Sequence, residues 1–388
     1  MTLPGKMSEI NQMKKICYVV TIPGTIEAFF IPQLKYLASN GFDVTVVCAN
    51  SSVLQKELGE TINFHPIEIP RGISVRGSIY ALKMLRCFFE MEQFDLIQYS
   101  TPNAAFYASI AAKKAGCKIR NYHLMGFRYL GASGIGRILL KFIEKVTCRN
   151  STSIECVSKS NLELGIQENL FKRDKVTVIW NGSTGGVDLK RFDYQKRNIW
   201  RKDVRENLGF SDVDFIYGFV GRITGDKGIN ELLEAFLKLK NDSKLLLLGN
   251  FENVETLNQK LLEEAKKNEN IVFHDAVSDV ERYYAAIDVL VLPSYREGLG
   301  NVVIEAGAVG TPAIISDISG LIDTIKKEET ALVVQARNSA ILEKQLIQIR
   351  ERNYMAMGQN AAYFAKKMFD SHVMNEKILE RKLHLLEK

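Results

Sequence analysis

Residues 181–193 read NGSTGGVDLKRFD, a stretch that is rich in glycine, asparagine and aspartate and shows neither helical nor strand periodicity. On both sides of it, short apolar runs rich in β-branched residues alternate with longer helical patterns. Continuous apolar strands connected by helices are typical of a parallel sheet that is covered on both faces. We therefore predict an α/β protein with two doubly wound, Rossmann-like parallel-sheet domains that are joined near residue 186.

The alternation also sets the predicted element positions. In the first half, strands are predicted at 15–20, 43–48, 64–69, 95–99, 118–122, 152–157 and 175–180, and helices at 26–39, 76–92, 102–115, 134–149 and 159–168. In the second half, strands are predicted at 214–220, 244–249, 271–273, 288–293, 312–315 and 331–334, and helices at 228–239, 254–268, 279–286, 301–309 and from 338 onward. The resulting domains are 1–186 and 187–370, with a final helix, 371–388, that we expect to pack back toward the N-terminal domain.

The composition is that of a soluble protein large enough for two cores. Of the 388 residues, 46% are hydrophobic and 25% are charged, which are ordinary values for globular domains. No apolar run approaches the ~20 residues that a membrane-spanning helix needs, and the N-terminal residues lack the apolar segment of a signal peptide. The six cysteines form no CxxC pair. We interpret them as reduced core residues, which favours a cytoplasmic location.

The net charge of +6 is concentrated in the first half of the chain. Residues 1–186 contain 22 Lys and Arg against 14 Asp and Glu, and the remainder contains 29 against 31. Basic charge confined to one domain indicates an anionic partner, although a solvated basic face that only keeps the protein soluble has the same pattern. Nucleic acid is not the expected partner, because the basic residues lack the interleaved stacking aromatics of a recognisable module.

A candidate phosphate site lies in GFVGRITGDKGINELLEAF, residues 218–236. The pattern predicts a strand that ends at Gly221, a loop with Arg222 and Lys227, and a helix that begins at Gly228. A glycine-rich turn at a helix N-terminus offers N–H groups to an anion, and the two basic side chains add two cations. A pyrophosphate fits this arrangement, although the segment matches neither the GxxxxGK[ST] nor the GxGxxG pattern. The alternative is an ordinary strand–helix turn with solvated cations.

A candidate hydroxyl-binding site lies in YREGLGNVVIE, residues 295–305, which follows a predicted buried strand. Gly298 and Gly300 would let the backbone approach a ligand closely, just before the next predicted helix. Glu305 lies about one turn into that helix on an apolar face, where a carboxylate is a natural partner for a vicinal diol. Glu297 lies in the loop, and stabilisation of an acid by the helix dipole explains it adequately.

Together, these segments resemble the retaining glycosyltransferases of family 4, which have the GT-B fold. The likeness rests on GR-x4-KG followed about seventy residues later by E-x7-E, and it extends over nearly the whole chain. Two further segments, NYHLMGFRYLGASGIGRILLKFIEKVTCRNSTSIECVSKS (121–160) and WNGSTGGVDLKRF (180–192), resemble the bacterial branch that makes capsular and O-antigen polysaccharides, including those of lipopolysaccharide. The resemblance implies two Rossmann-like domains that face an inter-domain cleft.

The resemblance also implies roles for individual residues. Arg222 and Lys227, beside Gly221, would bind the donor diphosphate. Glu305 would bind the ribose hydroxyls, and Glu297 would bind the donor sugar. The other donor-binding positions would act largely through backbone groups: Gly24 near the phosphate, Asp275, Ala276 and Val277 at the nucleobase, and Gly298, Leu299, Gly300 and Asn301 beside the sugar.

The candidate catalytic residues are Arg222, Lys227, Glu297 and His123. Many relatives have a histidine where this chain has Met125, and His123 lies two residues earlier, so it either takes that role or is a structural histidine at a strand end. The resemblance implies no protein nucleophile, because the departing phosphate would act as the base while Arg and Lys stabilise charge. We expect no metal or other cofactor, and we interpret the DxD at Asp212–Asp214 as the start of a strand rather than a metal site.

Basic amphipathic helices are predicted at 136–146 and 80–89. The basic residues in and just before the first of them are Arg128, Arg137, Lys141 and Lys145. Such helices are typical of membrane-surface elements, although an ordinary helix that packs on its own sheet has the same pattern. We predict that they dock the protein at the inner face of the cytoplasmic membrane, beside a lipid-linked acceptor.

The sequence therefore predicts a cytoplasmic, membrane-peripheral and metal-independent glycosyltransferase of the hexosyltransferase class. It would transfer a sugar from a nucleotide sugar, with UDP as the expected nucleotide, to a polyprenyl-diphosphate-linked glycan in surface polysaccharide synthesis. Two alternatives stay open. One is a sugar-nucleotide epimerase of the same architecture, which would turn over its nucleotide sugar without an acceptor. The other is a non-catalytic regulator that binds a nucleotide sugar.

Overall fold

The computed structural model describes residues 13–72, 74–240 and 243–387, which form two sheets. The strands of the first sheet are β1 (Lys14–Val19), β2 (Phe42–Cys48), β3 (Ile62–Pro66), β4 (Leu96–Tyr99), β5 (Ile119–Leu124), β6 (Ser153–Cys156) and β7 (Val176–Thr177). Those of the second are β8 (Ile216–Val220), β9 (Lys244–Leu248), β10 (Ile271–His274), β11 (Val289–Leu292), β12 (Ala313–Ser316) and β13 (Ala331–Val334). Their orders are β3-β2-β1-β4-β5-β6-β7 and β10-β9-β8-β11-β12-β13. The predicted α/β class with two doubly wound parallel sheets is confirmed.

Helices connect these strands. They are α1 (Pro23–Phe29), α2 (Ile31–Ser39), α3 (Ser52–Leu58), α4 (Val75–Glu92), α5 (Pro102–Lys114), α6 (Gly134–Asn150), α7 (Lys159–Gln167), α8 (Arg197–Asn207), α9 (Ile229–Leu237), α10 (Gln259–Lys267), α11 (Val280–Ala286), α12 (Asn301–Ala308), α13 (Ser339–Glu351), α14 (Tyr354–Phe369) and α15 (Ser371–Leu386). The single helix predicted at 26–39 is two helices, because Pro32 has no N–H to donate and favours the first turn of α2. In the part of the chain that the structure describes, no helix is both long and apolar enough to span a membrane.

Helix α8 was not predicted, because the face it buries carries arginines. Arg197, Arg201 and Arg205 recur at every fourth position, which places them on one side of the helix. Arg201 Nη2 and Arg205 Nη2 donate to the two carboxylate oxygens of Asp288 at 2.6 and 2.8 Å. Arg205 Nη1 also donates to the carbonyl oxygens of both acids of Asp212–Asp214, at 3.2 and 3.0 Å. The DxD segment is therefore part of a turn that a buried arginine holds.

The chain divides into two compact units. One is formed by the described residues of 1–123, 143–155 and 378–388, and the other by those of 124–142 and 156–377. The predicted domain limits at residues 186 and 370, and the predicted docking of the final helix, stay predictions.

The second sheet positions the candidate site. Strand β8 lies between β9 and β11 and pairs in parallel with both. The strand order reverses direction at the β8–β11 boundary, and ligands of open α/β sheets bind beyond the carboxyl ends of the strands at such a point. The two carboxyl ends are Val220 and Leu292, so the loops that begin at residues 221 and 293 are adjacent.

The first unit contains a buried ion pair at the end of α15. Lys382 is 1% exposed, and its Nζ donates to Glu155 Oε2 at 2.7 Å and to Gln98 Oε1 at 2.6 Å. Arg381 donates to Glu155 Oε1 at 3.3 Å and to Ser153 Oγ at 2.7 Å. Burial alone would raise the pKa of Glu155, but the charge and hydrogen bond of Lys382 outweigh it and hold that pKa below its ordinary value.

The substitution Lys382→Met is expected to lower the free energy of unfolding by about 3–5 kcal/mol, because it removes the closest partner of a buried carboxylate. Urea denaturation followed by circular dichroism measures the change. The control is Lys382→Met combined with Glu155→Gln, which removes both charges and should recover most of the loss. A double variant as unstable as the single one would contradict this account of the ion pair.

Candidate active site

The loops after β8 and β11 bring two of the predicted residues into direct contact. Lys227 Nζ donates to Glu297 Oε1 at 2.6 Å. The two side chains are only 17% and 14% exposed, so the pair is largely shielded from solvent. Coulomb attraction is stronger in such surroundings than in open water. The family resemblance assigned both residues to the nucleotide-sugar donor, but it did not imply that the two side chains bind each other.

Gly228 allows the two loops to come this close. Its φ angle is +74°, and a Cβ at this position would lie 2.7 Å from the carbonyl carbon of Pro293. A side chain here would therefore strain the backbone and push the two loops apart. Gly228 also caps the N-terminus of α9, so the same residue ends the loop and begins the helix.

A second ion pair joins the same loops one residue earlier. Arg296 Nη2 donates to Asp226 Oδ2 at 2.8 Å, and the backbone N–H of Tyr295 donates to the Asp226 carbonyl at 3.0 Å. Asp226 precedes Lys227 in one loop and Arg296 precedes Glu297 in the other, so each charge faces its opposite. Asp226 and Arg296 were not predicted as site residues. The available signal was the pair of oppositely ordered dipeptides, DK and RE.

Tyr295 fixes the base of the second loop. Its hydroxyl donates to Glu231 Oε1 at 2.6 Å, and the Arg337 guanidinium lies 4.3 Å from the centre of its ring. Burial and the contact with Glu231 raise the pKa of Tyr295. The hydroxyl therefore stays protonated and continues to donate, which anchors the loop to α9.

Arg222 binds a different carboxylate. Its Nη1 donates to Glu252 Oε2 at 2.9 Å, and the two side chains are 45% and 49% exposed. A pair this exposed contributes at most about 1 kcal/mol, so the guanidinium can change partner at little energetic cost. The predicted joint role of Arg222 and Lys227 at a diphosphate stays a prediction.

The backbone of Gly298 is packed against other parts of the same unit. A Cβ on Gly298 would lie 2.6 Å from the carbonyl carbon of Met125, so this contact excludes every side chain. Asn161 Nδ2 donates to the Gly298 carbonyl at 2.6 Å. The N–H of Asn301 donates to the Leu299 carbonyl at 2.8 Å, so one of the amides assigned to the donor is used within the loop.

Glu305 lies on α12, where it is partly buried. The hydroxyl of Tyr284, which is itself fully buried, donates to Glu305 Oε2 at 2.9 Å. Burial raises the pKa of Glu305, while the Tyr284 hydrogen bond and the charge of Arg191 oppose the rise. Tyr284 was not predicted as a site residue, because in sequence a tyrosine in an apolar helix is indistinguishable from a core residue. The predicted ribose contact of Glu305 stays a prediction.

The predicted nucleobase segment, 275–277, follows β10, and its first two residues are exposed. The backbone N–H of Ala276 donates to Asn250 Oδ1 at 3.2 Å. Arg191 Nη2 donates to the Ser278 carbonyl at 2.5 Å. The segment is therefore held through its backbone, which leaves the exposed side chains uninvolved in these contacts.

Gly24 and His123 belong to the other unit. Gly24 lies in the first turn of α1, where an added Cβ would meet nothing closer than a carboxylate oxygen of Glu27 at 4.0 Å. His123 is 5% exposed and packs edge-on against Phe30, with 5.5 Å between the ring centres. These positions leave the predicted roles of both residues untested.

Burial lowers the pKa of His123 to about 4, against the raising effect of Glu155 and with a further lowering effect of Lys382. The imidazole is therefore neutral at pH 7. A neutral imidazole offers one donor and one acceptor rather than a charge.

The basic residues assigned to an acceptor or a membrane lie on and near α6. Its apolar residues Ile135, Ile138, Leu139 and Phe142 are 85%, 71%, 43% and 61% exposed. This exposure disfavours the alternative that the face packs on its own sheet. Arg128, Arg137 and Lys145 are exposed, and Lys141 is partly exposed. Arg137 and Lys141 lie 5.8 and 6.0 Å from the ring centre of Tyr129, and Lys141 also pairs with Glu168.

Within residues 13–72, 74–240 and 243–387, no three His, Cys, Asp or Glu side chains are grouped as metal ligands would be. In the DxD segment, Asp214 Oδ2 accepts the Ser211 N–H at 2.7 Å, which stabilises the turn. Metal independence stays a prediction.

Two sequence families match the chain. "Glycosyl transferases group 1" matches residues 201–368, and "Glycosyltransferase Family 4" matches residues 30–184. The predicted resemblance to the family 4 glycosyltransferases is confirmed by these two matches. This glycosyltransferase is 29% identical over 373 residues to the capsular polysaccharide biosynthesis glycosyltransferase CapM of Staphylococcus aureus, covering 94% of this chain and 96% of CapM. The predicted resemblance to the capsular branch is therefore confirmed.

A second relative has a more detailed name. The glycosyltransferase is 24% identical over 340 residues to the UDP-Gal:alpha-D-GlcNAc-diphosphoundecaprenol alpha-1,3-galactosyltransferase of Escherichia coli, covering 85% of this chain and 86% of that enzyme. Among solved structures, Anabaena Alr3699/HepE in complex with UDP gives a TM-score of 0.77 at 18% identity, covering 96% of this chain and 100% of that one. This likeness confirms the predicted GT-B fold.

The substitution His123→Gln is expected to flatten the acid side of the stability profile. The folded-state pKa of about 4 lies below the ordinary ~6.5, so the contribution of His123 to stability is present above pH 6.5 and is lost as the pH falls toward 4. Over that range the wild type should lose up to about 1.4 kcal/mol per pH unit more than the variant. Urea denaturation at several pH values measures the difference. Parallel profiles for the two proteins would show that His123 is not the group responsible.

Proposed function

We propose that this glycosyltransferase is a retaining enzyme that transfers a sugar from a UDP-sugar to a polyprenyl-diphosphate-linked glycan in surface polysaccharide synthesis. The observation that carries the proposal is the contact of Lys227 with Glu297 at the switch point of the second sheet. A donor presents a diphosphate and a polyhydroxylated sugar side by side, and this site has a cation and a carboxylate side by side. The names of the Escherichia coli relative and of the UDP complex support the choice of nucleotide.

The donor is bound by groups of complementary chemistry. Lys227 and the N-terminus of α9 bind the diphosphate, and Arg222 joins them by leaving its exposed pair with Glu252. Glu305 accepts hydrogen bonds from the ribose diol, with Tyr284 fixing one of its oxygens. Glu297 accepts hydrogen bonds from hydroxyls of the donor sugar.

Transfer breaks the bond between the sugar's anomeric carbon and the departing phosphate oxygen. An acceptor hydroxyl forms the new bond to that carbon on the same face, and its proton passes to the departing phosphate, which leaves as UDP. Negative charge grows on the phosphate as the bond breaks, so Lys227 and Arg222 lower the barrier by stabilising it. In this proposal neither a protein nucleophile nor a metal takes part in a step.

Replacing Lys227 by Ala is expected to reduce kcat/KM about 10²–10³-fold, and adding Arg222→Ala should reduce it further, because each removes charge stabilisation of the departing phosphate. Product mass spectrometry with a UDP-sugar and a lipid-diphosphate glycan measures transfer. The matched control is Lys238→Ala, which removes an exposed lysine from the end of the neighbouring α9.

Unchanged turnover in the Arg222→Ala, Lys227→Ala variant would contradict this donor site. An epimer formed from the nucleotide sugar without acceptor would indicate an epimerase. Tight UDP binding by the wild type, without transfer to any lipid-linked acceptor, would indicate a regulator.

The exposed apolar face of α6 supports docking to the inner face of the cytoplasmic membrane, where a polyprenyl-linked acceptor resides. Ile135, Ile138 and Phe142 would enter the lipid headgroup boundary, and Arg137 and Lys145 lie on the same helix. Each basic residue close to an anionic leaflet contributes roughly 1 kcal/mol. The name of the Escherichia coli relative, which specifies a diphosphoundecaprenol acceptor, supports the same location.

The double substitution Ile138→Ser, Phe142→Ser is expected to weaken binding to vesicles that contain phosphatidylglycerol by at least about tenfold, because it removes apolar area from the docking face. Co-sedimentation at low and high salt measures the affinity and its electrostatic part. The matched control, Ile199→Ser, Val213→Ser, removes two apolar side chains elsewhere that are 64% and 93% exposed, and it should bind as the wild type does. Equal losses in both double variants would show that α6 is not the docking face.

A further inference from the structure

The proposed donor competes for both members of the Lys227–Glu297 pair. A diphosphate competes with Glu297 for the Lys227 ammonium, and a sugar hydroxyl competes with Lys227 for the Glu297 carboxylate. The pair is largely shielded, so opening it without a replacement would leave two poorly solvated charges. Where donor groups replace each partner, one cross-loop contact is exchanged for two contacts with the donor, and the loops lose an interaction that held them together.

The Asp226–Arg296 pair is the other ionic contact described above between these loops, and the proposed donor contacts leave it intact. Asp226 is also fixed by its carbonyl, which accepts the N–H of Tyr295 at 3.0 Å. Tyr295 is in turn bound to Glu231, so the pair rests on α9 as well as on the two loops. A displacement of either loop would have to break several contacts at once.

The side chain of Arg296 is also confined from a third direction. A Cβ on Gly131 would lie 2.8 Å from Cδ of Arg296, so the guanidinium stem occupies the space that a side chain at 131 would need. Within the described chain, Arg296 Nε is buried and has no hydrogen-bond partner. An unsatisfied buried donor is destabilising, so this position of Arg296 is maintained by its other contacts rather than by Nε.

Resting on the proposed function above, we propose that Asp226 and Arg296 are positioning residues. They form a permanent clamp that keeps the two loops in place while Lys227 exchanges Glu297 for the donor diphosphate. Gly131 belongs to the clamp because it leaves room for Arg296. The exchangeable pair binds the donor, and the permanent pair preserves the spacing of Lys227 and Glu297 that the chemical step needs.

The clamp makes a specific kinetic prediction. Arg296→Met and Asp226→Asn should each reduce kcat about 10–100-fold with at most a threefold rise in KM for the UDP-sugar, because the donor's own contacts remain while their spacing is lost. The charge-exchanged double variant Asp226→Arg, Arg296→Asp should recover at least about tenfold of the loss in kcat. The matched control is Glu234→Gln, which breaks the exposed ion pair with Lys238 on α9 and should leave kcat unchanged.

Gly131→Ala provides an independent arm. Its methyl group would displace Arg296, so it should reduce kcat in the wild type and have little additional effect in Arg296→Met. Additive losses in this double-mutant cycle would overturn the role assigned to Gly131. Wild-type kcat in Arg296→Met would overturn the clamp itself, as would a loss that appears only in KM. If Arg296→Met fails to fold by circular dichroism, Arg296→Lys replaces it with the same expected direction.

The two levels of the proposal fail differently. If the wild type transfers no sugar from any UDP-sugar, the proposed function fails before the clamp is tested. If the wild type transfers sugar and the clamp variants match it, the clamp alone fails.

Discussion

The architecture of the candidate site depends on one steric constraint, which is that the loops after β8 and β11 must touch. The strand order of the second sheet places the carboxyl ends of these strands side by side. Adjacent strand ends alone do not bring the two loop backbones this close, because side chains between two ordinary loops would keep the backbones apart. Gly228 removes that obstacle, because it has a φ of +74° and no Cβ that would collide with the Pro293 carbonyl. The cross-loop contacts of Asp226 and Lys227 follow from this approach.

The balance of charge at these loops follows from their partial burial. If the order of acids and bases along the two loops were random, like charges would face and repel each other, or the side chains would have to stay in solvent. Here each cation faces a carboxylate, so the site has no net charge from these four residues. A neutral arrangement avoids the large cost of burying a single charge, and an incoming anion meets a cation whose partner can be replaced. The exposed Arg222–Glu252 pair differs, since solvent screens it and little energy is needed to open it.

Sequence patterns predicted most of the elements whose buried faces are apolar, although they missed the seven-residue helix α3, which buries Leu54 and Leu58. The runs that became β8 and β11 are continuous apolar strands, and their turns carry the glycines that such turns need. Helix α8 was not predicted from apolar periodicity, because the positions it buries include arginines, whose partners are carbonyl groups and Asp288. The division of the helix predicted at 26–39 was recoverable, since Pro32 marks a helix start.

The sequence singled out Lys227 and Glu297, but neither their contact with each other nor the neighbouring Asp226–Arg296 pair was predicted. Lys227 was a ligand-binding candidate because it lies in the glycine-rich turn after a buried strand, whereas the role of Glu297 was implied only by the resemblance to family 4. Which cation faces which carboxylate depends on the relative heights of the two loops, and strand register sets those heights through contacts such as Leu290 with Gly218. A single sequence does not encode that register locally.

The state of His123 bears on the chemistry that the first unit can offer. A general base works best when its pKa lies near the operating pH, and burial holds His123 at about 4. At neutral pH it is deprotonated but only weakly basic, so it would take a proton from an acceptor hydroxyl poorly. A neutral imidazole, fixed against Phe30, is better suited to orienting a hydroxyl or a neighbouring side chain by hydrogen bonding. This matches the demand of the proposed transfer step, in which the departing phosphate receives the proton and no protein base is required.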